Sequence, residues 1–312
     1  MTQPTTLYAI LYGQLLAILM ACATVFSGQM EHAGFPTFQV FPVYLILSFG
    51  LIIHAIQTRK THPKVQHDRD PSASYRSLWV FILMALLDVE GNFLIVTAIQ
   101  SAALSMTTAQ TLNSATVPFS VILSLVFLKR RFSLKSILAI SCTVIGLGLV
   151  VYCSSKCTPL TSGTPTLTAL IASLITLTAS LCYASCNVIE EITAKADPPV
   201  RMLGLFGACG CVISVVQGIA LESHQVSLIT SAMVWPWLGF CLSMSTFYVG
   251  LVAFLARFDA TLFNLSILTA GMYVAVLESI LNWSWAIPSC LYGVGFALVI
   301  FGSAAYHRLQ KV

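Results

Sequence analysis

Two carboxyl groups and an amide fall within the five residues Asp88-Val-Glu90-Gly-Asn92, in the middle of the apolar run from Trp79 to Ala98. The run is about as long as a bilayer is thick. An acidic side chain near a bilayer centre costs roughly 2.5–3.5 kcal/mol on insertion scales, so such residues line polar pathways or bind neighbouring helices. Ligand recognition and proton binding are the chemistries open to them. On a helix Asp88 and Asn92 share one face, while Glu90 is turned by about 200° from Asp88. The two carboxyls therefore do not face one cavity together. At most one or two of the three groups line a pathway, and the others hydrogen-bond to a neighbouring helix.

Further polar groups gather in two other apolar stretches. Thr107, Thr108, Gln110, Thr111, Asn113, Ser114 and Thr116 precede Pro118, and Thr261, Asn264, Ser266, Thr269, Tyr273 and Glu278 form a second series. Amides and hydroxyls at this density can bind an uncharged polar ligand or join helices at about 0.6 kcal/mol per contact. Asn187 is a further intramembrane amide. Glu190 and Glu191 follow near a membrane surface, either as a solvated pair or as a gate ion-paired with Lys129, Arg130 and Arg131. No nucleophile elbow, phosphate loop or His-rich cluster occurs, so neither an enzyme nor a cofactor is expected. His54, His62 and His67 lack metal-ligand spacing, and no metal is expected.

The elements that position these groups are membrane helices. The 312 residues are 57% hydrophobic and only 8% charged, with a mean hydropathy of +0.89; soluble domains carry about 25% charged residues. Spans of about 20 apolar residues are read at 7–27, 38–57, 78–98, 103–127, 134–153, 167–190, 202–221, 235–256, 260–281 and 286–306. The longest loop, 57–77, is polar. With a cytoplasmic N-terminus, Lys156 alone of the 15 Lys and Arg falls on the outer side. That bias predicts ten spans with both termini cytoplasmic. The first span reads as a transmembrane helix rather than a cleaved signal. Plasma membrane and endomembrane are not distinguished.

Ten spans divide into two five-helix repeats, 1–157 and 158–312, of opposite orientation, an arrangement common in secondary transporters. One faint echo supports this: Thr108 and Pro118 are matched by Thr261 and Gly271, each 153 residues on (108 to 261, 118 to 271). Most cysteines lie inside spans as small hydrophobes, whereas Cys153 and Cys157 flank an outer turn and either pair or stay free. Gly146, Gly148, Gly204 and Gly207 are read as close helix-packing positions, and Trp235, Trp237, Trp283 and Trp285 as an interfacial belt. Asn282-Trp-Ser284 matches a glycosylation sequon but lies close to the bilayer.

Asp88-Val-Glu90-Gly-Asn92, Tyr183-Ala-Ser-Cys-Asn187-Val-Ile-Glu190-Glu191, Gly204-Leu-Phe-Gly207 and Asn264-Leu-Ser-Ile-Leu-Thr-Ala270 resemble segments of the F-type members of solute carrier family 35, in the drug/metabolite transporter superfamily. The likeness runs from about Ser77 to Tyr306. It implies an all-α inverted-repeat carrier working by alternating access. The implied cargo is nucleobase- or nucleoside-like, modified purines such as queuine among them, with thiamine-like compounds in more distant branches. Two central acids of the family pattern are replaced here, by Asn113 and Gly271.

The combined expectation is a secondary transporter, uniport, exchanger or proton-coupled, for a small polar heterocycle, embedded in lipid and open to homodimer assembly. Asp88 or Glu90 is the charged centre, Asn92, Gln110, Asn113, Asn187 and Asn264 hydrogen-bond the cargo, and Tyr273 stacks on it. Glu190 and Glu191 are the cytoplasmic gate. A nucleotide-sugar exchanger of the endomembrane system is the competing transport reading; it needs paired cationic donors for phosphate, and no span core holds a Lys or Arg. A non-transporting receptor or scaffold is the other alternative.

Overall fold

Inside lipid every backbone N–H and C=O must be satisfied within its own segment, which leaves the helix as the solution for chains this apolar. In the computed structural model the described residues are 6–30, 35–60, 77–100, 112–129, 133–157, 166–224, 229–281 and 290–310. Among them there are twelve α-helices and no strand. These are α1 (Thr6–Gly28), α2 (Pro36–Ser48), α3 (Gly50–Lys60), α4 (Leu78–Gln100), α5 (Thr116–Phe127) and α6 (Leu134–Cys157). They continue as α7 (Thr166–Ala196), α8 (Pro199–Glu222), α9 (Val234–Leu255), α10 (Ala260–Ile267), α11 (Ala270–Leu281) and α12 (Cys290–Gln310).

Among the described residues, seven stretches are long and apolar enough to cross a membrane: Leu7–Gly28, Pro36–Thr58, Leu78–Ala98, Leu170–Ala196, Pro199–Glu222, Ser231–Leu255 and Ala260–Leu277. Thr116–Phe127, Leu134–Gly146 and Gly293–Tyr306 are shorter apolar helices. Three of the expected spans are interrupted among the described residues, that at 103–127 by a turn at Ser114–Ala115 ahead of α5. The stretch at 38–57 breaks at Phe49 into α2 and α3, with Pro42 inside α2. That at 260–281 breaks at Leu268 and Thr269 into α10 and α11. The expected span 167–190 continues as helix to Ala196, which moves Glu190 and Glu191 a full turn inside the helix end. Gln110, most of loop 57–77, Asn282, Trp283 and Trp285 lie outside the described residues, as do the side chains of Cys153, Cys157 and Glu278.

Large apolar side chains such as Leu11, Trp79, Phe127, Val212, Val216 and Leu242 point outward, as they do where lipid replaces water. Helices meet in a fixed set of pairs: α2 and α3 with α8, α4 with α7 and α8, α1 with α9, α10 and α11, α5 with α7, and α6 with α12. In a membrane these contacts gain little from apolar burial and depend on close packing of small residues. Glycines supply that along α8. A Cβ at Gly204 would stand 2.4 Å from the Leu51 nitrogen, and one at Gly207 2.5 Å from the Ser48 nitrogen. One at Gly210 would stand 2.6 Å from the Tyr44 ring. On α6 a Cβ at Gly146 would stand 2.7 Å from the Gly295 oxygen of α12, whereas one at Gly148 would meet nothing. Gly148 is therefore not a packing position, although its neighbour is.

At one end of α8 a buried carboxylate helps hold α2. Glu222 accepts hydrogen bonds from the Thr37 nitrogen (2.8 Å) and the Phe38 nitrogen (2.9 Å). It thereby satisfies two free donors of the helix N-terminus and meets the positive end of its dipole. Gly207→Val should lower stability by about 1–3 kcal/mol or more, because the helix backbone cannot yield as a side chain can. Gly148→Ala should be neutral or mildly stabilising through helix propensity. Thermal unfolding of the detergent-purified protein, followed by size exclusion, checks both.

Candidate functional site

Asp88 lies midway along α4 and is 5% exposed. Buried in an apolar bundle, its carboxylate requires donors from outside its own helix. They come from two other helices: the Tyr44 hydroxyl of α2 donates to Oδ2 at 2.6 Å, and the Tyr248 hydroxyl of α9 donates to the same oxygen. Asn92 sits one turn on and donates its amide to the Asp88 carbonyl (2.9 Å), with a weaker contact to Oδ2 (3.4 Å). Its own Oδ1 accepts from the Tyr183 hydroxyl of α7 at 3.1 Å. One carboxylate thus draws together α2, α4, α7 and α9.

A Cβ at Gly91 would come within 2.9 Å of the Tyr183 ring. The glycine between Glu90 and Asn92 therefore lets α7 approach closely enough for this contact. Glu90 is only partly buried and lies within electrostatic range of Cys182. Asp88 and Glu90 diverge as helix geometry requires.

A second polar centre joins α7 to the broken helix α10–α11. The Asn187 amide donates to Asn264 Oδ1 at 2.8 Å, both residues being buried. Asn113 accepts from the Ser180 hydroxyl of α7 at 3.2 Å. Tyr273 is half-buried, and its hydroxyl donates to Gln14 Oε1 of α1 at 2.9 Å, beside the Thr269 hydroxyl on the same oxygen at 2.9 Å. Gly271 faces open space: an added Cβ would meet nothing within 4 Å.

Glu190 and Glu191 correct one expectation. They are not a solvated pair, because α7 runs past them and both are buried. Glu191 accepts from Lys195 (2.5 Å) and from the backbone nitrogen of Ala260 at the start of α10 (2.9 Å). Lys129 is exposed, and Arg130 and Arg131 lie outside the described residues.

Between this end and Asp88 runs a chain of aromatic rings. Tyr44, Phe206 and Tyr248 pack together, and Phe247 links Tyr248 to Phe263. Phe254, Phe258, Tyr12 and Tyr8 extend the chain to the end where α1 and α10 begin. There the Arg257 guanidinium donates to the Tyr8 hydroxyl at 2.8 Å.

Of the expected residues, Asp88 and Asn92 share one hydrogen-bonded group and Asn187 and Asn264 another, while Asn113 and Tyr273 bond separately to Ser180 and Gln14. Gln14, Tyr44 and Tyr248 were not singled out in the sequence. Each is a polar group inside an apolar helix, a weak signal because Tyr and Gln are common at span ends and in packing roles.

A bundle of apolar helices built around buried, hydrogen-bonded polar side chains belongs to the class of multi-pass membrane proteins. Solute carrier family 35, in its SLC35F grouping, matches residues 2–308, and the chain belongs to this family. Similar proteins include an uncharacterized solute carrier family 35 member of Schizosaccharomyces pombe, 29% identical over 95% of this chain and 56% of its own length. Solute carrier family 35 member F2 of Mus musculus is 29% identical over 74% of this chain and 60% of its own. Member F2 of Xenopus tropicalis is 24% identical over 86% and 68%. The chain thus spans between about half and two-thirds of the length of these curated relatives. One crystal structure shares the fold, with a TM-score of 0.65 over 97% of both chains at 17% identity. The family is one of membrane solute transporters.

Removing one donor from a buried carboxyl costs about 1–3 kcal/mol. Tyr44→Phe and Tyr248→Phe should each destabilise by that order. Combined with Asp88→Asn they should show a coupling of about 0.5–3 kcal/mol. Additive losses in a double-mutant cycle would mean that the phenols and the carboxyl act independently.

Proposed function

We propose that the chain is a ten-span inverted-repeat carrier, with both termini cytoplasmic, that moves a small polar heterocycle by alternating access around Asp88. Counting α2–α3 and α10–α11 as one span each, the most extensive helix pairs map onto one another when the two halves are exchanged, although α7 with α9 and α10 with α12 have no comparable counterpart among the described residues. The pair α1 with α9 corresponds to α7 with α4, α2 with α9 to α8 with α4, and α1 with α10–α11 to α7 with α5. The pairs α2–α3 with α8 and α6 with α12 each map onto themselves.

Two of the interrupted spans, 103–127 and 260–281, agree in detail. Each has a two-residue turn, at Ser114–Ala115 and Leu268–Thr269. In each a threonine hydroxyl donates to the carbonyl three residues back: Thr116 to Asn113 (2.6 Å) and Thr269 to Ser266 (2.8 Å). The two pairs are 153 residues apart (116 to 269, 113 to 266), the spacing of the sequence echo. Broken helices facing each other near a repeat interface are where such carriers bind cargo.

The observation that carries the cargo reading is the Asp88 carboxylate with its ring of phenols and amides. Its second oxygen, Oδ1, makes no hydrogen bond among the described residues. It suits a heterocycle edge with adjacent N–H donors, of the kind purines carry, and Tyr44, Tyr183 and Tyr248 offer flat surfaces beside it. Asn92, Asn113, Asn187, Asn264 and Tyr273 supply further hydrogen bonds, while Glu191, Lys195 and the α10 N-terminus close the cytoplasmic end. A nucleotide sugar fits less well, because the buried charged residues among those described are all Asp and Glu.

Proteoliposomes holding the full chain should take up tritiated guanine and not UDP-glucose. Asp88→Asn should reduce guanine uptake by about tenfold or more, the scale of one lost charge-assisted hydrogen bond. Unaltered uptake by a correctly folded Asp88→Asn protein would refute the central role of the carboxyl, and uptake of UDP-glucose alone would favour the nucleotide-sugar exchanger.

A further inference from the structure

Glu190 is 1% exposed, and its Oε2 has no hydrogen-bond partner among the described residues. Its neighbour Glu191 is fully engaged with Lys195 and the start of α10. On α7, Cys186 and Thr193 face α4: the Cys186 thiol donates to the Met84 carbonyl (3.5 Å), and the Thr193 hydroxyl to the Met84 sulfur (3.7 Å). Asn187 and Glu191 face α10, through Asn264 and Ala260. These two sets of residues lie about 130° apart on the helix, and Glu190 falls between them. It is therefore directed at the seam between α4 and α10.

The same contacts show that α7 and α10 run antiparallel, with Asn187 opposite Asn264 and Glu191 opposite Ala260. That register brings Thr261 level with Glu190 but on the opposite flank of the helix pair. Thr261 Oγ1 and Asn264 Nδ2 are likewise buried without a partner. Glu190 Oε2 and Asn264 Nδ2 are thus an unpaired acceptor and an unpaired potential donor on facing stretches of α7 and α10, about one turn apart in depth.

We propose that Glu190 is the coupling-proton site of the carrier, a reading that rests on the transport function proposed above. A buried carboxylate oxygen left without a donor favours the neutral acid over the ion. The conformation seen here thus suits Glu190 carrying a proton. If α10 slides against α7 by about one turn, Asn264 Nδ2 can donate to the carboxylate. The ionised form then becomes the favoured one, and the proton leaves to water at the opened end. An equilibrium between two such arrangements is what links proton binding to conformational change.

The titratable and charged groups around the junction do not provide a counter-ion. Asp88 of α4 has like charge and lies within electrostatic range. Cys186 of α7 and Tyr248 of α9 are neutral donors engaged elsewhere. Asp259 caps α10 at the Leu262 nitrogen. Lys195 is paired with Glu191, and Arg201 of α8 pairs with Asp197 and lies over the Phe81 ring.

Infrared spectroscopy of the purified full chain at neutral pH should show a neutral-carboxyl C=O band that is absent from Glu190→Gln. Identical spectra would mean that Glu190 is ionised and would overturn the proposal, whether or not a cargo is known. In proteoliposomes, a proton gradient, acidic outside, should raise guanine accumulation by about tenfold per pH unit for one proton per cargo. In Glu190→Gln the ratio of accumulation with and without the gradient should fall to near one, whatever its absolute rate, and Glu190→Asp should restore part of it. Wild-type uptake indifferent to the proton gradient, or driven by a sodium gradient instead, would overturn the coupling site and leave the transport reading standing. No guanine uptake by the wild type would reject that cargo, with the infrared result still deciding the protonation of Glu190.

Discussion

A carboxyl group placed midway through an apolar bundle constrains much of the surrounding structure. In water Asp88 would be solvated from every side; here its donors must be protein groups. The phenols of Tyr44 and Tyr248 meet that requirement from two helices, and Asn92 passes the connection to Tyr183 on a third. Hydrogen bonds of this type are directional and costly to break in a low-dielectric interior. They fix how α2, α4, α7 and α9 are rotated about their axes, which apolar packing alone would leave loosely specified. The glycines of α8 then allow α2 and α3 close enough for Tyr44 to reach its place.

The second recurring theme is the use of carboxylates at helix N-termini. Glu222 binds the first free amides of α2, Glu191 that of Ala260 at the start of α10, and Asp259 that of Leu262. Each replaces water at a position where a transmembrane or re-entering helix begins against protein. The electrostatic match with the helix dipole is favourable. These carboxylates belong to the framework of the bundle, in contrast to Asp88 and Glu190, which sit where hydrogen bonding is incomplete.

Much of the site was legible in its residues. Asp88, Asn92, Asn187 and Asn264 stood out because polar groups in long apolar runs carry a high cost and so require a reason. The divergence of Asp88 and Glu90 followed from helical period alone. Tyr44 and Tyr248 could not be found this way, because a tyrosine in a membrane span is unremarkable until its hydroxyl is seen to end on a carboxylate. Glu190 and Glu191 were misplaced because hydropathy falls off before α7 ends. The helix continues through six more residues on the strength of Lys195 and the capping of α10.

Composition and the period of the helix determined, without any structure, that this chain lives in a bilayer, where along its length the polar groups fall, and which of them share a helix face. Those properties are local, set by the transfer cost of each residue and by 3.6 residues per turn. Only the tertiary structure decided which polar groups meet. It broke spans at Phe49, Ser114–Ala115 and Leu268–Thr269, closed Asp88 within phenols from distant parts of the chain, and left Glu190 Oε2 unpaired within the bundle. The reason is physical: a hydrogen bond between helices depends on their relative rotation, depth and separation, and these are fixed by close packing at glycines and by one another, not by any single segment.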